Sequence, residues 1–182
     1  MLLQFPPLFQ TMDDVNKCNI TLGDERMMSR AGLIDYDSIN VNPVELVSIQ
    51  DGTTAPILKF AIDHGIEIGG DSSNTKSALL MAMNMLKTKG DDEQGRQDGL
   101  LVVTDGQSTS ADSPCDKSGN IVPELEPLLI TTRIAVLGIG PFSNKDDYKC
   151  LYGAQNPDGK LFEVDNYKEL DRKLIEDIIE WL

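Results

Sequence analysis

Short apolar runs and helical periodicities follow one another along the chain. Residues 100–106 (LLVVTDG) and 133–140 (RIAVLGIG) are nearly continuous in apolar residues. Such runs are typical of parallel strands buried on both faces of a sheet. Further strands are predicted at residues 30–38, at 44–50, where the alternation suits a sheet edge, and at 161–165.

Apolar residues at helical spacing separate these strands. Helices are predicted at residues 5–15, 53–68, 75–90, 122–132, 144–155 and 167–182. The helix at 75–90 has one apolar face, formed by Ala78, Leu79, Ala82, Met85 and Leu86. Strands separated by helices are joined by crossovers and lie parallel. The pattern therefore predicts an α/β fold, a doubly wound and mostly parallel sheet with helices on both faces.

Length and composition fit one globular domain over residues 1–182, since 40% of the residues are hydrophobic. Thirty acidic and 16 basic side chains give a net charge of −14. A field of that sign repels phosphate backbones and anionic membranes, so nucleic-acid binding is disfavoured. No apolar run approaches the roughly 20 residues that cross a bilayer, and the N-terminus lacks the basic region of a signal peptide.

The three cysteines, Cys18, Cys115 and Cys150, share no zinc or redox spacing, and their odd number leaves at least one unpaired within the chain. Enzyme motifs are missing as well. The sequence has no Gly-x-Ser-x-Gly elbow, no phosphate-binding loop and no complete dinucleotide fingerprint, and its one histidine, His64, has no nucleophile beside it. Nucleophilic catalysis therefore has little support.

Candidate metal-binding side chains lie near the predicted ends of strands. In a doubly wound sheet, ligands bind at the carboxyl ends of the strands, which brings Asp105, the helix start at Thr75 and the region of Asp37 around one mouth. The oxygen donors of this mouth are Asp105 and the hydroxyls of Ser72, Ser73, Thr75, Thr104 and Ser108. Hard cations such as magnesium prefer oxygen ligands. The same residues are also explained by a turn at Asp105 with Asn74 or Thr75 capping the next helix.

These segments together resemble a von Willebrand factor type A domain, which has a Rossmann-like fold. The resemblance is carried by "RAGLIDYDS", "GGDSSNTKSALLMAMNML", "LLVVTDGQS", "RIAVLGIG" and "LFEVDNYKELDRKL", in the family's order. It implies a non-enzymatic protein-binding or adhesion module with a metal-ion-dependent adhesion site for Mg²⁺ or Mn²⁺, completed by an acidic residue of a protein partner. Thr75 would be the threonine ligand and Asp105 the aspartate.

The remaining ligands of the family come from an Asp-x-Ser-x-Ser motif at the end of its first strand, and this sequence has no such motif. The resemblance puts Met1 just after that motif, so we expect a domain truncated at its N-terminus and lacking its central first strand. Its metal site would then be incomplete, with weak or absent Mg²⁺ or Mn²⁺ binding. The loss would also expose two unpaired sheet edges, a liability for aggregation.

Two alternatives stay open at this point: a metal-dependent α/β enzyme that uses Asp105, and a metal-independent interaction scaffold. An extracellular location is expected from the resemblance, from the cysteines and from the glycosylation sequon at Asn19, although intracellular members of the family exist.

Overall fold

The computed structural model describes residues 30–36, 41–48, 73–89, 98–104, 106, 108–140, 145–154 and 156–182. Several predicted features lie outside these residues: the helices at 5–15 and 53–68, and Cys18, Asn19, Asp37, His64, Ser72 and Asp105. The expectation of an absent first strand also concerns residues outside the described part, and it stays a prediction.

A parallel three-stranded sheet forms the centre of the described structure. Its strands are β3 (Asp98–Thr104), β4 (Thr132–Ile139) and β5 (Lys160–Val164), and β4 lies between the other two. Both pairings are parallel, with Thr104 opposite Gly138 near the carboxyl end of β3. The predicted apolar runs thus form neighbouring parallel strands.

Residues of β4 alternate between two cores, one on each face of this sheet. Ile134 and Val136 belong to the first core, together with residues of the helices before and after β3. Ala135, Leu137 and Ile139 belong to the second core, which contains Leu170 and Ile178 of the C-terminal region. Because both faces are covered, both sets of alternate side chains must be apolar, which explains the continuous aliphatic run in the sequence.

The α-helices of the described residues are α1 (Thr75–Lys89), α2 (Glu126–Thr131) and α3 (Arg172–Trp181). A 3₁₀ turn, Pro123–Leu125, precedes α2, and another, Tyr167–Glu169, precedes α3. The helix predicted at 167–182 is therefore shorter than expected. The Asp171 side chain accepts a hydrogen bond from the Leu174 amide at 2.8 Å, so α3 begins at this cap.

The prediction of a helix at 144–155 is wrong. This segment forms two 3₁₀ turns instead, Lys145–Asp147 and Lys149–Leu151. Tyr148, Cys150 and Leu151 are all buried in the first core. Three inward-facing residues out of four do not fit one stripe of an α-helix. Tyr148 lies between the two turns with a φ of −138°, outside the helical range, and this break allows all three side chains to face inward.

The strands β1 (Arg30–Tyr36) and β2 (Val41–Ser48) pair with each other in antiparallel register. Among the described strands they form a separate two-stranded sheet, and α1 contacts both of them. The hydroxyl of Tyr36, at the end of β1, donates to the Val103 carbonyl oxygen of β3 at 3.3 Å. One buried side-chain hydrogen bond therefore joins the antiparallel pair to the edge of the parallel sheet.

Candidate functional site

The N-terminus of α1 is capped by Asn74. Its side-chain oxygen accepts a hydrogen bond from the Ser77 amide at 3.1 Å, and its carbonyl accepts one from the Ala78 amide at 3.1 Å. The cap predicted at Asn74 or Thr75 is therefore made by Asn74. Because Asn74 serves the backbone, the hydroxyl of Thr75 is available for a contact outside the helix.

That contact is with Ser108. The Thr75 and Ser108 hydroxyl oxygens are 3.0 Å apart, within hydrogen-bonding distance, although the residues are 33 positions apart in the chain. Thr75 is only 2% exposed, and Ser108 is half-buried. The structure thus brings together the two segments whose polar residues were predicted to share a mouth.

The hydroxyl of Thr104 is hydrogen-bonded within the turn that follows β3. Thr104 is buried, and its hydroxyl oxygen accepts a hydrogen bond from the Gly106 amide at 2.9 Å. Gly106 has a φ of 73°, a conformation that glycine adopts without the steric cost of a side chain. Thr104 therefore shapes the turn after the strand, which is the structural role considered for this segment. Ser73, just before the cap of α1, is buried as well.

Asp147 is a residue of this site that sequence analysis missed. One of its carboxylate oxygens accepts a hydrogen bond from the Ser108 amide at 3.0 Å, and its carbonyl accepts one from the Ser113 hydroxyl at 3.2 Å. Asp147 lies in the 3₁₀ turn shortly after β4, at the same edge of the sheet as the end of β3. The only available signal was this position after a predicted strand, because its sequence neighbourhood matches no metal or catalytic motif.

A disulfide ties the loop after β3 to the segment after β4. Cys115 and Cys150 are bonded, and both are buried in the first core. The Ser113 hydroxyl oxygen also accepts a hydrogen bond from the Cys115 amide at 3.1 Å. The sequence predicted at least one unpaired cysteine among the three. Cys115 and Cys150 pair with each other, and Cys18 lies outside the described residues.

The lysines on either side of Asp147 in the sequence form exposed ion pairs. Lys145 pairs with Glu163 at 2.7 Å and Lys149 pairs with Asp146 at 2.8 Å. The hydrogen bond to Glu163 raises the pKa of Lys145. Pairs as exposed as these contribute little to stability, because water and salt screen their attraction.

The described donor set does not fit a tightly held divalent ion. Thr75 and Ser108 offer hard oxygen donors, but both are neutral and each is already hydrogen-bonded to the other. Within the described ranges, no three His, Cys, Asp or Glu side chains come together in a group that could hold a metal. A cation here would need further oxygen ligands besides these hydroxyls, and the resemblance assigns that part to Asp105, outside the described residues, and to water.

The fold and this mouth define a class of protein: a doubly wound α/β domain with polar residues gathered at the carboxyl end of its parallel sheet. The profile of the von Willebrand factor type A domain matches residues 12–177. The chain belongs to the von Willebrand factor type A domain family. Family membership suggests a protein-interaction or adhesion module.

Two solved structures with this fold are crystal forms of proximal thread matrix protein 1 from the mussel byssus. Their TM-scores are 0.60 and 0.56 at 17% and 16% sequence identity. Each comparison covers 95% of this chain and 42% of the mussel protein, so the chain spans less than half the length of that protein. Among curated proteins, none matches the chain at a significant level.

Proposed function

We propose that this chain is a non-enzymatic protein-binding module whose contact surface is the mouth between α1 and the loop after β3. The observation that supports this most directly is the hydrogen bond between Thr75 and Ser108. It places two hydroxyl-bearing segments side by side at the carboxyl end of β3, where ligands of doubly wound sheets bind. Membership of an interaction family favours binding over catalysis.

The partner is proposed to be a protein that offers an acidic residue to a cation at this mouth. Thr75 and Asp105 would hold the ion, Ser108 would support Thr75, and the ion would supply a positive charge for the partner's carboxylate. Two protein ligands leave most of the coordination shell to water, so the ion is held weakly in this chain. A metal-independent scaffold is the alternative, and the mutual hydrogen bond of the two hydroxyls supports it.

An extracellular setting is part of the proposal. The buried disulfide between Cys115 and Cys150 supports it, because disulfides form and persist in oxidising compartments. No helix among the described residues is long and apolar enough to cross a membrane.

Titration with Mn²⁺ and Mg²⁺ tests the cation site. Calorimetry is expected to give a dissociation constant on the order of 1 mM or weaker. Because Mn²⁺ is paramagnetic, it should broaden the amide signals of Thr75, Gly106 and Ser108 in an NMR spectrum before others. Asp105→Ala should abolish this local broadening.

The matched control is Asp146→Ala, which removes the same charge from an exposed position near the mouth. It should leave the broadening in place. Micromolar affinity would contradict the weak site, and broadening centred elsewhere on the acidic surface would contradict its location. If binding to a partner, once identified, survives Asp105→Ala and removal of cations, the metal-independent alternative is correct.

A further inference from the structure

Two separate groups orient Ser108. Its hydroxyl meets Thr75 at 3.0 Å, and its backbone amide donates to the Asp147 carboxylate at 3.0 Å. A hydrogen bond to an ionised carboxylate is stronger than one between neutral groups. The amide contact therefore restricts the backbone from which the Ser108 hydroxyl reaches Thr75.

Asp147 also holds the loop after β3 through a second contact. Its carbonyl oxygen lies 3.2 Å from the Ser113 hydroxyl, whose single proton is shared between this carbonyl and the Cys115 carbonyl at 3.0 Å. One residue after β4 thus binds the same loop at two places, five positions apart. Two attachment points restrict rotation of the loop as well as its distance from β4.

The segment that carries Asp147 is anchored in the core. Tyr148 follows directly and is buried, and Cys150 is fully buried and bonded to Cys115. The Cys150 amide also lies 3.1 Å from the Cys115 sulfur. A close-packed core permits little movement, so Asp147 is a fixed reference point beside the mouth, although its own side chain is half-buried.

We propose that Asp147 is a positioning residue of the candidate site, which sets Ser108 against Thr75 without contacting the ligand itself. The connections run from the core disulfide along the backbone to Asp147, and from there by hydrogen bonds to Ser108 and then to Thr75. This inference rests on the proposed function, because it assigns Asp147 a part in ligand binding at that mouth. It predicts that the acceptor geometry of residue 147 matters more than its charge.

The experiment compares Asp147→Ala with Asp147→Asn, using the full chain. Alanine removes the acceptor, whereas asparagine keeps an oxygen in place and removes the charge. Amide hydrogen exchange of Ser108 should quicken by about tenfold or more in Asp147→Ala and by about threefold in Asp147→Asn. Mn²⁺ broadening at Thr75 should weaken strongly in the first variant and persist in the second.

Asp146→Ala serves as the control, because it deletes a neighbouring carboxylate that is 77% exposed. It should change neither measurement. Unaltered Ser108 exchange in Asp147→Ala would overturn the proposal. So would an asparagine variant that keeps the amide protected but loses Mn²⁺ broadening as fully as alanine does, since the carboxylate would then act by charge.

A failure of the proposed function would be seen in a different measurement from a failure of the role of Asp147. Absence of Mn²⁺ broadening in the unaltered chain would contradict the cation site. The exchange comparison would still decide whether Asp147 positions Ser108, because it requires no ligand.

Discussion

Tyr36 illustrates how much one side chain contributes to this fold. Its hydroxyl bonds the Val103 carbonyl at 3.3 Å, from a ring that is buried at the end of β1. A buried carbonyl that loses its donor keeps its desolvation cost. This contact therefore stabilises the junction between the two sheets, although its donor–acceptor distance is long for a hydrogen bond between oxygens.

Removing that hydroxyl should destabilise the protein measurably. Tyr36→Phe is expected to lower the free energy of unfolding by about 1–3 kcal/mol, because the Val103 carbonyl is left without this donor. Urea denaturation followed by circular dichroism measures the change. Tyr152→Phe is a suitable control, since it removes the same atom from a half-buried ring and should cost less than about 0.5 kcal/mol. If the two variants lowered the free energy of unfolding equally, the hydrogen bond from Tyr36 would make no specific contribution to stability.

At the residue scale the sequence was informative where local chemistry decides. The Asn-Thr pair predicted a helix start, and α1 does begin at Thr75 with Asn74 as its cap. The partners of the hydroxyls were a different matter. Nothing in the sequence near Ser108 indicates that its amide would bond Asp147, 39 positions away.

At the scale of elements, the loop after β3 and the turns after β4 behave as one unit. The disulfide joins Cys115 to Cys150 across a separation of 35 residues. Asp147 hydrogen-bonds two residues of the same loop. The predicted helix at 144–155 fails here because the disulfide and the core take residues that a helix would have turned outward.

Loss of this cross-link should be costly. Replacing Cys115 and Cys150 by alanine is expected to lower the free energy of unfolding by about 4 kcal/mol, the loop-closure estimate for a loop of this length. Chemical denaturation in a Cys18→Ala background measures the effect without thiol exchange from the third cysteine. Adding a dithiol reductant under denaturing conditions should produce the same loss in the cross-linked protein. A stability unchanged by either treatment would contradict a structural role for the disulfide.

At the scale of the whole molecule, the described strands form two sheets of unequal size, one of three strands and one of two. Strand β4 has neighbours on both edges and a core on each face, and Ile134, Ala135 and Val136 are fully buried. Within the described ranges the β1–β2 sheet has two strands, and such pairs are marginally stable alone. The two regions should therefore open with different free energies.

Hydrogen exchange read by mass spectrometry tests this difference. Peptides from β4 should exchange slowest, at the rate set by global unfolding, and peptides from β1 and β2 should exchange at least about tenfold faster. If the two sheets opened together in one cooperative transition, peptides from β4 and peptides from β1 and β2 would show similar protection. That result would contradict a difference in opening free energy between the two sheets. Tyr36→Phe should widen the gap, because it removes a contact between the two regions.

Sequence alone determined the parallel order of β3, β4 and β5, the apolar faces of the helices and the family resemblance, because each depends on local periodicity or on short motifs. It also predicted that Thr75, at the start of a helix, would share a mouth with Ser108, which follows the carboxyl end of a strand. Only the tertiary structure decided the disulfide partner of Cys115, the 3₁₀ turns at Lys145–Asp147 and Lys149–Leu151, and the contact between Asp147 and Ser108. These features depend on which distant segments the packing of the core brings within a few ångströms, and the pattern along the chain does not encode that distance.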